Sequence, residues 1–167
     1  ETTTLCLIPA VREATTLPLI AAGGIGTGEA IFALMALGAE GVQMGTRFAL
    51  TDESSASDIF KEYCLRLNEG DTKLLLKKLA PTRLVTNSFR DRVEAAEGRG
   101  ASAEELRELL GRGRAKKGIF EGDLEEGELE IGQVAALFRR RQSVDEVMKE
   151  LLEGYRRASD KIRSAGL

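Results

Sequence analysis

A short apolar run, Leu17 to Ile20, stops at Ala21-Ala22-Gly23-Gly24-Ile25-Gly26-Thr27-Gly28 and gives way to a helical pattern. Further on, Gly41-Val42-Gln43-Met44 stops in the same manner at Gly45-Thr46-Arg47-Phe48. The chemistry these residues could do is to hold an anion. Glycine has no Cβ, so Gly23 and Gly24 can turn with positive φ and present N–H groups to a ligand at close range. A helix beginning near Thr27 would aim its unpaired N-terminal amides at the same place. Gly45 and Thr46 would add backbone amides and a hydroxyl. Either half alone is what any tight βα turn looks like. Two consecutive halves are what a (β/α)8 barrel uses after its last two strands to hold a phosphate, which points to a phosphate-bearing cofactor.

The elements around these residues follow from local signals. Thr27 reads as an N-cap, with Glu29 in the first turn where the helix dipole favours negative charge. Ile31, Leu34 and Met35 follow at helical spacing, and Gly38 stands where a C-terminal cap belongs. Thr2 to Ala14 reads as a helix begun or interrupted at Pro9. Asp52 to Asn68 reads as an amphipathic helix through Ile59, Phe60, Tyr63 and Leu67, closed by Gly70. Thr72–Leu79 and Arg83–Val85, flanking Pro81, are either short strands or irregular. Ser102 with Glu105, and Ser143 with Glu146, form candidate capping boxes. The second opens a helix whose stripe of Val144, Val147, Met148, Leu151, Leu152 and Tyr155 suits packing in a core or a homo-oligomeric interface.

Composition narrows the class. At 167 residues, with 43% hydrophobic and 31% charged residues, the chain suits an ordinary globular domain. A net charge of −3 with few aromatics argues against a nucleic-acid surface. No apolar run approaches a membrane span and no signal pattern opens the sequence. Cys6 and Cys64 have neither metal spacing nor a disulfide framework, so both are expected to be buried small apolar residues in a reducing, cytoplasmic setting. The chain contains no histidine, the commonest general base and zinc ligand.

Arg112, Arg114, Lys116 and Lys117, followed by Glu125, Glu126 and Glu128, read as a solvated charged face. Within Glu128–Leu137, Gly132-Gln133 interrupts an apolar-periodic segment. Either Gly132 allows close packing or Gln133 reaches a site. Two parallel strands cannot close a barrel, and the remainder reads as mostly helical. The expectation is therefore the C-terminal part of a (β/α)8 barrel whose N-terminal half lies on another segment. In that division residues 1–51 are the last βα units, 52–127 a helical insertion or cap, and 128–167 helices returning to the barrel.

Pro18-Leu19-Ile20-Ala21-Ala22-Gly23-Gly24-Ile25 and Gly38-Ala39-Glu40-Gly41-Val42-Gln43-Met44-Gly45-Thr46-Arg47-Phe48 resemble the nitronate monooxygenases, also called 2-nitropropane dioxygenases. The related enoyl-ACP reductase II enzymes share both motifs. Leu110-Gly111-Arg112-Gly113-Arg114, Glu121-Gly122-Asp123, Gly127 and Gly132-Gln133 extend the likeness over nearly the whole chain. The resemblance implies an FMN-containing barrel in which Gly23, Gly24, Gln43, Met44, Gly45 and Thr46 hold FMN, chiefly by its phosphate; Gln133 is a candidate site contact only. It also implies a catalytic histidine in a Gly-Gly-His segment ahead of Glu1, and hence no catalytic residue in this chain itself. Relatives often carry histidine where Ser57 stands, a difference read as structural. The expected activity is oxidation of a small alkyl nitronate with oxygen to a carbonyl compound and nitrite. The alternatives are an NAD(P)H-dependent enoyl-ACP reductase, a phosphate-binding barrel without flavin, and a non-catalytic binding module.

Overall fold

The computed structural model describes residues 2–166. In chain order the elements are α1 (Thr4–Ala14), β1 (Ile20–Ala22), α2 (Gly28–Ala36), β2 (Gly41–Gln43), α3 (Thr46–Ala49), α4 (Asp58–Cys64), β3 (Thr72–Leu75), β4 (Thr82–Val85), α5 (Ser88–Gly98), α6 (Ala103–Leu110) and α7 (Val144–Ser164). They divide into two units, one formed by Glu1–Glu53 with Gln142–Leu167 and the other by Ser54–Arg141. The architecture is mixed α/β. Among the described residues no helix is long and apolar enough to cross a membrane.

In the first unit β1 and β2 pair in parallel, Ile20 opposite Gly41 and Ala22 opposite Gln43. The first strand starts at Ile20 rather than Leu17, because Pro18 has no N–H to give to a ladder. Helix α1 runs through Pro9 without ending there. Ile8, Ala21, Ile25, Leu34 and Ala39 form the core beneath the strands. Helix α7 lies along α2, with the rings of Phe32 and Tyr155 edge to face at 5.5 Å. Val147 and Leu151 of the expected stripe are buried, whereas Met148 and Leu152 are exposed. Cys6 is exposed too, so the expectation of two buried cysteines holds only for Cys64.

The second unit differs most from the sequence reading. Of the two readings left open for the segments flanking Pro81, the strands form: β3 pairs with β4 in antiparallel fashion, in the register Thr72 opposite Val85. Pro81 sits in their connection, where its missing N–H costs nothing. Leu129–Ile131 adds to the other edge of β4 through Val85 N to Leu129 O at 3.0 Å and Ile131 N to Arg83 O at 3.3 Å. Against this sheet lie Leu75, Leu76, Leu84, Phe89, Val93, Ala96, Ala101 and Leu106. The helix expected from Asp52 begins at Asp58, because Ser57 takes the cap: its Oγ accepts from Phe60 N at 3.2 Å. Ser57 thus has a structural task. Gly132 is extended and precedes a 3-10 turn, Gln133–Leu137, rather than interrupting a helix.

Candidate functional site

Parallel pairing of Ala22 with Gln43 brings both strands to their carboxyl ends side by side. The chain leaves β1 through Gly23 and Gly24, both left-handed at φ 95° and 73°. Only glycine adopts such a pair without strain. Ile25 then plugs the core, and Thr27 caps α2, its Oγ1 accepting from Ala30 N at 3.2 Å. The chain leaves β2 through Met44 and Gly45, which caps α3, and Thr46 is the first residue of that helix. Gly45 has φ −90°, so its backbone does not demand glycine. What it shares with Gly24 is space: a Cβ at either position would meet nothing within 4 Å. Gly23, Gly24, Gln43 and Gly45 are exposed, and Met44 and Thr46 half-buried.

The donor set at these strand ends consists of backbone N–H groups, a threonine hydroxyl, a glutamine amide and the start of α2. Such groups suit an anion, and the open space over Gly24 and Gly45 would admit one. The phosphate of a nucleotide-like cofactor fits this chemistry. Gln133 belongs to the second unit and is exposed at the start of its 3-10 turn.

Two features beside the strand ends escaped the sequence reading. Arg47, one residue past Thr46, is buried at 7% exposure, and its Nη2 donates to Glu150 Oε2 on α7 at 2.5 Å. Glu150 Oε1 accepts from the buried Gln142 Nε2 at 2.6 Å. Gly28 opens α2 directly against α7, where an added Cβ would stand 2.1 Å from Leu151 O and 2.2 Å from Tyr155 N. The local signal was a charged residue and a third glycine inside the quoted motifs. Their partners lie too far along the chain for spacing to reveal.

Several motif residues of the second unit hold structure together. Arg114, expected on a solvated face, instead lies over the Phe89 ring at 4.4 Å and donates to Leu110 O at 2.8 Å and Glu126 O at 2.6 Å. Asp123 accepts from Glu125 N and Glu126 N and pairs with Lys117, which brings its carboxyl down to about 2, the lysine contact being the largest cause. Asn87 caps α5 through Arg90 N and donates to Leu124 O and Gly127 O. A Cβ on Gly127 would sit 2.2 Å from Gly118 Cα, so two backbones touch there. Glu128 is buried rather than solvated, and burial, then the charge of Glu130, pushes its carboxyl up to about 7.

Taken together, the strand ends are those of an α/β protein that sets two glycine-containing loops side by side. The family model described as nitronate monooxygenase matches residues 1–154, and the chain belongs to that family. A probable nitronate monooxygenase of Staphylococcus aureus is 39% identical over 98 residues, 57% of this chain and 27% of that protein. FabK from Thermotoga maritima superposes with a TM-score of 0.90 at 33% identity, over 99% of this chain and 52% of that one. Nitroalkane oxidase from Streptomyces ansochromogenes does so with 0.77 at 29% identity, over 95% and 45%. The chain therefore spans about half the length of these solved structures.

Proposed function

We propose that this chain is the C-terminal part of an FMN-dependent (β/α)8-barrel oxidoreductase that oxidises alkyl nitronates with oxygen. In this reading residues 1–51 are the last βα units, 52–127 an insertion and 128–167 the return to the barrel. The observation that carries it is the register of β1 on β2, which sets the Gly23-Gly24 and Gly45-Thr46 ends beside each other. Gly23, Gly24, Gln43, Met44, Gly45 and Thr46 would hold FMN, chiefly by its phosphate. The redox chemistry between substrate and oxygen would come from FMN, when bound. This chain's share is to bind and orient the group. It has no histidine, so the proton acceptor is assigned to a Gly-Gly-His segment outside it.

The test is flavin retention by the protein that carries this chain. G24V and G45V should each weaken FMN at least tenfold, about 1.4 kcal/mol. Unchanged retention in both would remove these strand ends from the site, and a colourless wild-type protein would favour a phosphate-binding barrel without flavin. The 167-residue chain by itself is expected to release no nitrite from a nitronate above the free-FMN background. Nitrite release by the pure chain would overturn that assignment of the chemistry to another segment.

The likeness to FabK favours one second reading, an enoyl-ACP reductase. Anaerobic addition of NADH to the FMN-loaded protein separates the two. Fast bleaching of the flavin supports the reductase, and bleaching by nitronate alone supports the monooxygenase.

A further inference from the structure

We propose that α7 braces the anion cradle at both of its loops, with Glu150 the positioning residue that fixes the Gly45-Thr46 end. The inference rests on the phosphate-holding reading given above. Glycine-rich loops are flexible by composition, and a site made of backbone amides is strong only when those amides are already aimed. Something must therefore hold each loop where it runs into the fold.

Both loops are held by the same stretch of α7. Downstream of Gly23-Gly24, Gly28 meets the α7 backbone at Leu151 O, Gly154 C and Tyr155 N, with no room for a Cβ on Gly28. On the facing side, a Cβ on Gly154 would stand 2.7 Å from Glu29 Oε2. Downstream of Gly45-Thr46, Arg47 turns inward and its Nη2 reaches Glu150 Oε2 at 2.5 Å. Glu150 is itself tied to Gln142 at 2.6 Å, and Gln142 O accepts from Asp52 N at 3.0 Å just beyond α3. Glu150, Leu151, Gly154 and Tyr155 fall within about a turn and a half of helix. One short length of α7 thus sets the positions of both cradle loops. The Arg47–Glu150 pair thus ties the residue just after Thr46 to α7.

The experiment measures FMN affinity of the protein carrying this chain by fluorescence titration, together with hydrogen exchange of the 44–49 amides in the FMN-free form. E150Q keeps an acceptor oxygen for Arg47 but removes the charge, and R47K keeps the charge but loses the planar fork. The expected result is a fold intact by circular dichroism, FMN bound roughly 5–20-fold more weakly, and faster exchange over 44–49. Glu150→Asp, which keeps the charge on a shorter arm, should recover part of the affinity. FMN binding within twofold of wild type in folded E150Q and R47K overturns the brace while leaving the cradle intact if G24V and G45V lose flavin. Should G24V and G45V bind FMN normally, the cradle reading fails and the brace falls with it. If neither E150Q nor R47K folds, the pair is purely structural and the inference is likewise overturned.

Discussion

Gly28 and Gly154 meet where α2 crosses α7, so closely that a Cβ on Gly28 would lie 2.7 Å from the Gly154 carbonyl carbon. The neighbouring atoms are backbone and cannot swing aside. G28A should therefore destabilise the chain by about 1–3 kcal/mol or more through overpacking. G24A tests a different cost, because its Cβ meets open space and pays only for a left-handed φ of 73°. That strain is about 1–2 kcal/mol. Urea midpoints of the two variants check this, and a G24A loss clearly larger than that of G28A would contradict the close crossing.

Arg114 should matter to stability more than a surface arginine does. It stacks on Phe89 and satisfies two carbonyls, those of Leu110 and Glu126. R114A should cost about 2–4 kcal/mol from the lost hydrogen bonds and ring contact, and R114K should restore only part of it. Equilibrium denaturation provides the measurement. An R114A variant as stable as wild type would return Arg114 to the solvated face.

Glu128 gives a pH dependence of definite sign. Its carboxyl rises from 4.5 to about 7, chiefly because the folded chain buries it. The folded state then binds more protons than the unfolded one between those values, so stability falls as pH rises through the interval and levels off above it. The change is on the order of 3 kcal/mol. Asp123 has the opposite sign, but its contribution is lost only as pH falls from 3.8 towards about 2. Denaturant midpoints should therefore drop between pH 5 and pH 8, and E128Q should flatten that drop. A midpoint that stays level over this range, in wild type and E128Q alike, would show that Glu128 stays ionised throughout.

The capping boxes allow a simpler check. Ser102 Oγ accepts from Glu105 N at 3.2 Å while Glu105 Oε2 accepts from Ser102 N at 2.7 Å. S102A should cost about 0.5–2 kcal/mol, measured by thermal unfolding. An unchanged melting temperature would mean that this cap is replaced by water.

What the sequence disclosed and what it hid divide along the range of the signal. Ser102 with Glu105, Ser143 with Glu146, and Thr27 ahead of α2 could be read because a cap and its partner are three residues apart. Gly23-Gly24 could be read because a left-handed pair leaves few choices of residue. The strand pair around Pro81 stayed ambiguous, since proline argues against a strand but is harmless in the connection it occupies. Arg114 resembled its solvated neighbours Arg112 and Lys116, and only Phe89, supplied by another helix, turns it inward. Arg47 and Gly28 sat inside motifs already noticed, yet their partners on α7 belong to the far end of the chain. Met148 and Leu152 fitted the apolar stripe of α7 by period alone, which cannot say which part of a wide stripe the neighbouring helix covers.

The first unit is built from two separated stretches, with Ser54–Arg141 between them. On a ribosome, β1, α2 and β2 emerge before α7 and must wait for it until the whole intervening unit has been translated. At about 5–20 residues per second that interval is on the order of ten seconds. During it the surface of α2 at Gly28 and the guanidinium of Arg47 have no α7 to meet. The intervening unit is a continuous stretch of chain. The order of synthesis thus makes the packing of α7 onto α2 and Arg47 the last contact of this unit to form.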